Sequence, residues 1–267
     1  MNRKIAVIGV GNMARAIING VLSSDLCVDS FLLYDKNEAA YSLLGSSSKL
    51  TVSDGVDNAV AEADCILLSV KPQNFPDVLE EISRVEGHEN KLYITIAAGI
   101  TSQSVSNALG GAVVIRVLPN LPMTIGKGIS AICNNPAALP EDIEFVRAVF
   151  ASAGSTVMID ESEMNRIIGV TSSSPAYVFK FINAICKGAE AQGLDGKALL
   201  ETVCDMVIGS AELLKSSDLT PEELIARVAS KGGTTEQALI HLDLGSFDET
   251  VAEAMLYCTK RADELGK

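Results

Sequence analysis

The sequence predicts an α/β fold in which a doubly wound parallel sheet over residues 1–160 is followed by an all-α domain over residues 161–267. Three observations carry this reading. Short β-rich apolar runs alternate with helix-like segments as far as about residue 160, the first run leads straight into a glycine-rich turn, and beyond residue 161 helix punctuation replaces the strand signals. With 267 residues, 48% of them hydrophobic, the chain is long enough for two domains with cores of their own.

The first strand is Lys4 to Ile8, and Gly9-Val10-Gly11-Asn12-Met13-Ala14 follows it, with Ala16, Ile17, Ile18 and Val21 marking a helix over 12–23. The two glycines permit a tight turn and close approach of a pyrophosphate, and Ala14 stands where helix and strand must pack closely. This places Gly9, Gly11, Asn12 and Met13 against a dinucleotide in a Rossmann-type domain. The second strand, Phe31 to Tyr34, ends at Asp35 and Lys36. The carboxylate suits the adenine ribose of NAD, whereas the cation tolerates a 2′-phosphate, so these two residues leave NADH and NADPH both open. A helix over 36–45 comes next. Cys65 to Val70, Leu92 to Ala97 and Val113 to Leu118 read as further strands, with helices over 75–83 and 101–109 between them. Their ends, Ser69-Val70-Lys71-Pro72, Ala97-Ala98-Gly99 and Pro119-Asn120, fall on the carboxyl edge of the sheet, where such folds bind ligands. Ile129 to Cys133, a helix over 140–151 and Thr156 to Ile159 complete this half.

In the second half Ser174 before Pro175, Asp195 after Gly193, Thr220-Pro221-Glu222-Glu223 and Ser246-Phe247-Asp248-Glu249 punctuate helices, and the last two read as capping boxes. Val170 to Cys186 and Val203 to Leu214 carry apolar residues around much of the helix circumference, which predicts burial against a second subunit. Ser230-Lys231-Gly232-Gly233-Thr234-Thr235 precedes another helix. Glycines running into threonines at a helix start offer backbone N–H groups and hydroxyls to a small anion.

A net charge of −13 without a basic cluster argues against nucleic acid, and the apolar runs are far too short to span a membrane. Six scattered cysteines without a C-x-x-C pair read as reduced thiols, and with only two histidines, His88 and His241, no metal site is expected. A soluble cytoplasmic protein without an export signal is the expectation.

Assembled in chain order, Gly9-Val10-Gly11-Asn12-Met13-Ala14, Val70-Lys71-Pro72, Ala97-Ala98-Gly99, Arg116-Val117-Leu118-Pro119-Asn120, Ser173-Ser174-Pro175-Ala176-Tyr177-Val178-Phe179 and Gly232-Gly233-Thr234-Thr235 resemble the Δ1-pyrroline-5-carboxylate reductase family. The resemblance implies hydride transfer from NAD(P)H, with NADPH favoured, to C5 of the cyclic imine, giving L-proline. It also implies a homodimer joined through the helical domain, each active site lying between one subunit's nucleotide domain and the other's helices, and higher assembly of such dimers. Lys231 stands where the family has proline, Ser172 where it has glycine and Leu121 where it has threonine.

Within that frame the N–H groups of Gly232, Gly233 and Thr234 would hold the substrate carboxylate at a helix start near Thr235. The Thr235 hydroxyl either hydrogen-bonds the ring nitrogen, as the family pattern implies, or caps the helix. Glu161, at the domain junction, falls where family members have a substrate-side glutamate; a helix-start charge is the plainer reading. A protonated imine is already electrophilic, so orientation and electrostatics can carry catalysis without a strong general acid. Two rivals remain: a β-hydroxyacid dehydrogenase type of oxidoreductase, which would need a catalytic lysine near Lys180, and a non-catalytic nucleotide-binding paralogue.

Overall fold

A computed structural model describes residues 3–133 and 135–265. Eight strands form one sheet in the order β3-β2-β1-β4-β5-β6-β7-β8: β1 Lys4–Ile8, β2 Ser30–Tyr34, β3 Leu50–Val52, β4 Cys65–Leu68, β5 Leu92–Thr95, β6 Val113–Leu118, β7 Gly128–Cys133 and β8 Gly154–Ile159. The central strands are buried on both faces, as in β4, where Cys65, Ile66, Leu67 and Leu68 are all inaccessible, and this accounts for their unbroken apolar runs. Helices α1 Asn12–Leu22, α2 Val56–Glu62, α3 Phe75–Ile82, α4 Ser102–Ala108 and α5 Pro140–Ala151 accompany the strands. Two core clusters serve the sheet's two faces, one with Ile17, Ile18 and Phe150, the other with Val60, Val78 and Val105.

The sheet departs from the predicted all-parallel form at one pairing. β7 runs antiparallel to β6, with Leu118 opposite Ala131, while β8 is parallel to β7. Only a short 3₁₀ turn, Leu121–Ile125, joins β6 to β7, and a connection of that length cannot return the chain for parallel pairing. Two elements escaped the sequence reading: the three-residue edge strand β3, whose Thr51 and Val52 are exposed, and the seven-residue α2. The helix expected over 36–45 is a 3₁₀ segment, Glu38–Leu43, begun by the Asn37 side chain accepting from Ala39 N–H.

The chain divides into two compact units, one ending at Ser173 and resuming at Met255, the other Ser174–Ala254. The boundary differs from residue 160 because the segment after β8 stays with the sheet. There α6 Met164–Ile167 and the π-helical turn Ile168–Ser172 follow, and Met164 and Ile168 join Leu118, Ala131, Cys133 and Ala262 in a small core. Gly169 admits Met255, since a Cβ there would lie 3.1 Å from that of Met255.

The second unit holds α7 Ser174–Ala191, α8 Leu200–Ser216, α9 Pro221–Val228, α10 Thr234–Leu244 and the start of α11 Phe247–Leu265. Thr220 and Glu223 form the expected capping box. Asp195 organises a turn by accepting from Lys197 and Ala198 N–H rather than opening a helix directly. Ser246 is not the extended cap its motif suggested, because its φ of 52° is left-handed. Cys186 and Val203 are buried in this unit, whereas Phe179, Phe181, Met206, Ile208 and Leu213 are exposed. Among the described residues no helix is long and apolar enough to cross a membrane.

Candidate functional site

The strand order reverses between β1 and β4, and at that switch point the glycine turn meets the end of β4. Gly9 has φ +94°, and a Cβ on it would come within 3.0 Å of the Ser69 backbone and the Val70 side chain, so glycine is required twice over. The Ser69 hydroxyl fixes the turn by donating to Gly9 C=O at 2.5 Å. Gly11 is the N-cap of α1 and supplies no side chain to its free N–H groups, while a Cβ there would meet nothing within 4 Å. Open space before an uncapped 11-residue helix fits a pyrophosphate.

A cleft of about 370 Å³ runs along this edge, lined among others by Gly9, Gly11, Asp35, Lys36, Ser69, Val70 and Lys71. Asp35 is held from two sides: Oδ2 accepts from Val10 N–H at 2.6 Å and Oδ1 from Asn37 N–H at 2.8 Å. Tyr41 hydroxyl bonds both N–H and C=O of Asp35, which fixes the backbone as well. Lys36 is exposed beside it. The residues present fit a dinucleotide.

The other predicted cofactor residues are placed differently. Pro72 opens a 3₁₀ turn before α3. Asn12 accepts from Arg15, and Met13 packs against the core. Ala97 is buried, Ala98 exposed, and Gly99 turns the chain with φ +81°. Pro119 and Asn120 are buried, and Asn120 is a fastener: its Nδ2 donates to Thr171 C=O at 3.0 Å and its Oδ1 accepts from Ile129 N–H at 2.8 Å. Both ends of that amide are engaged with the protein, so any contact of Asn120 with a cofactor would be made by its backbone.

Glu161 belongs to a cluster that the sequence reading did not assemble. Arg116, 1% exposed in the middle of β6, donates from Nη1 to Glu161 Oε1 at 3.1 Å and from Nη2 to Asn165 Oδ1 at 2.7 Å. The Ser102 hydroxyl donates to Glu161 Oε2 at 2.9 Å and the Cys133 thiol at 3.0 Å. Burial pushes the Glu161 carboxyl up, but hydrogen bonds from Cys133, Ser102 and Arg116 and the charge of Arg116 outweigh it and hold it below its ordinary value. Burial and the neighbouring Glu161 push the Cys133 thiol up to about 12, so it stays a donor. Glu161 does open a short 3₁₀ turn, Glu161–Glu163, but its carboxylate is engaged with the protein rather than standing free. The available signal was an arginine inside an apolar strand, which can be buried only if paired.

The glycine–threonine loop opens α10, but its registry differs from the sequence reading. Gly232 has φ +73°, and a Cβ on Gly233 would lie 2.6 Å from the Ser230 hydroxyl oxygen, so both glycines are required. Gly232 N–H is already donated to Glu236 Oε2 at 2.7 Å, and Gly233 N–H to Ser230 C=O at 2.9 Å. Among the described residues the N–H groups of Thr234 and Thr235 have no acceptor, so the open positions lie one to two residues later than the Gly232–Thr234 assignment. Gly233 is the N-cap, so Thr235 is not the cap, and its half-buried hydroxyl makes no hydrogen bond among the described residues. Lys231 and Lys180 are both exposed.

Residues 161–265 match the family model for pyrroline-5-carboxylate reductase dimerisation, and residues 4–99 that for NADP oxidoreductase, coenzyme F420-dependent. Pyrroline-5-carboxylate reductase of Methanosarcina acetivorans is 33% identical over 100% of this chain and 99% of its own. The crystal structure of 1-pyrroline-5-carboxylate reductase from Streptococcus pyogenes matches with a TM-score of 0.89 at 28% identity, over 98% of this chain and 99% of that one. Plasmodium falciparum pyrroline carboxylate reductase, solved with NADP bound, shares the fold with a TM-score of 0.88 at 24% identity, over 100% and 99% of the two chains. Similarity of this extent, running from end to end, shows that the chain belongs to the pyrroline-5-carboxylate reductase family.

Proposed function

We infer that the chain reduces L-Δ1-pyrroline-5-carboxylate to L-proline with NAD(P)H, the last step of proline biosynthesis. The observation that carries this is the pairing of a dinucleotide turn at the sheet's switch point with a second, uncapped helix start bearing two free N–H groups and two hydroxyls. The nicotinamide cofactor supplies the hydride. Gly9, Gly11 and the start of α1 hold its pyrophosphate, with Asp35 and Lys36 at the ribose end and Ser69, Val70 and Lys71 along the cleft. NADPH is favoured by the family, in which the Plasmodium relative was solved with NADP.

The free N–H groups of Thr234 and Thr235, at the positive end of α10, receive the substrate carboxylate without a buried cation. The Thr235 hydroxyl, free of any capping duty, hydrogen-bonds the ring nitrogen and orients C5 for attack. Glu161, a substrate-side residue in the family pattern, is oriented by Ser102 at the start of α4. The dimerisation match and the exposed apolar residues of α7 and α8 support a homodimer formed through the helical half, and the family resemblance supports a higher assembly of such dimers. Six free thiols support residence in the cytoplasm, and a charge of −13 supports the exclusion of nucleic acid.

Steady-state oxidation of NADPH and NADH by pyrroline-5-carboxylate tests this reading on wild type and Thr235→Ala. Turnover with at least one cofactor is expected, together with a loss in kcat/KM of about 10- to 100-fold in the variant, the value of a hydrogen bond to a charged group. Unchanged kinetics in Thr235→Ala would remove the hydroxyl from the mechanism.

A further inference from the structure

The first N–H of the anion loop is not vacant. Gly232 N–H donates at 2.7 Å to Oε2 of Glu236, on the first turn of α10, beside the free N–H groups of Thr234 and Thr235. We propose that the Glu236 carboxylate is an internal stand-in for the carboxylate of the substrate: it occupies one donor of the loop in the ligand-free chain and opposes entry of a second anion, so that it sets KM for the imine and affinity for the product. The proposal rests on the loop being the carboxylate site.

The chemistry of the contact supports it. A carboxylate bound to a loop N–H next to unpaired N–H groups of one helix start has the same recognition chemistry as the ligand assigned to that start. No cation offsets its repulsion of a second anion, because among the described residues Glu236 forms no ion pair and the nearby Lys231 side chain is exposed. Two carboxylates sharing one helix start repel, and an incoming one must displace the resident or bind beside it. Glu236 is only half-buried, so its side chain has room to leave.

A purely structural role makes the opposite prediction. If Glu236 serves only to brace the loop, weakening its bond loosens the site and raises KM. Glu236→Gln separates the two roles, because the amide oxygen still accepts from Gly232 N–H while the charge is gone. The expected result is a KM for pyrroline-5-carboxylate lowered about 3- to 10-fold and tighter inhibition by L-proline, with kcat and the KM for NADPH unchanged. With 1-pyrroline, the same cyclic imine without a carboxylate, Glu236→Gln should behave as wild type. A KM for pyrroline-5-carboxylate that rises or stays the same, or an equal shift with 1-pyrroline, overturns the proposal. Thr234→Pro, which removes one of the open N–H groups at the first helical position, where proline is tolerated, distinguishes this from failure of the site itself. If the loop is not the carboxylate site, neither Thr234→Pro nor Glu236→Gln alters the KM for pyrroline-5-carboxylate; if only the competition is wrong, Thr234→Pro raises that KM while Glu236→Gln shows no gain.

Discussion

At the scale of residues, the charged groups that matter are those whose partners are fixed. Glu161 has a carboxyl held below its ordinary value of 4.5, so the unfolded chain takes up a proton before the folded one does. Its contribution to stability is complete above that ordinary value and is lost as pH falls through the lowered folded value. Glu161→Gln should therefore flatten the acid limb of a thermal unfolding series between neutral pH and pH about 3. Arg116→Ala, which strands Glu161 and Asn165 without their donor, should cost about 3 kcal/mol in urea unfolding, the lower end of the range for a broken buried pair because Glu161 is partly exposed. Asp35, pinned by two backbone N–H groups, cannot rotate away from a 2′-phosphate. Asp35→Ser should raise the NADPH-to-NADH ratio of kcat/KM by about tenfold, equivalent to about 1.4 kcal/mol. Gly9 and Gly11 were legible in the sequence because a glycine reports a backbone need directly. The pairing of Glu161 with Arg116 was not, because the two lie 45 positions apart and only the fold joins them.

At the scale of elements, periodicity and turn chemistry revealed the long strands and helices, while short elements were missed. β3 and α2, with three and seven residues, carry too few positions to show a period. The direction of β7 was hidden for another reason: it depends on a short connection built around the 3₁₀ turn Leu121–Ile125, which has no apolar period of its own. The registry of the α10 start was displaced because its cap is a glycine, which leaves no hydroxyl to mark the first position. Asn120 shows how a loop residue can hold elements together, linking the N–H that begins β7 to the π-helical turn after α6. Asn120→Ala leaves the buried Thr171 C=O and the part-buried Ile129 N–H without their partner and should destabilise the chain by about 1–3 kcal/mol in urea unfolding.

At the scale of the whole molecule, composition, the glycine turn and helices apolar around their circumference pointed to a two-part, self-associating oxidoreductase. The helical unit exposes Phe179, Ile208 and Leu213 at 53%, 50% and 57%, too much apolar surface for a lone helical unit in water. Sedimentation equilibrium should give a dimer or a multiple of it, and Phe179→Glu combined with Ile208→Glu should shift the population toward monomer. We infer that a dinucleotide turn and an uncapped helix start together reduce a cyclic imino acid. Oxidation of NADPH and NADH followed at 340 nm with pyrroline-5-carboxylate tests it most directly. Substrate-dependent turnover that yields L-proline is the predicted result; nucleotide binding without imine-dependent oxidation, or turnover of 2-hydroxy acids in its place, would contradict it.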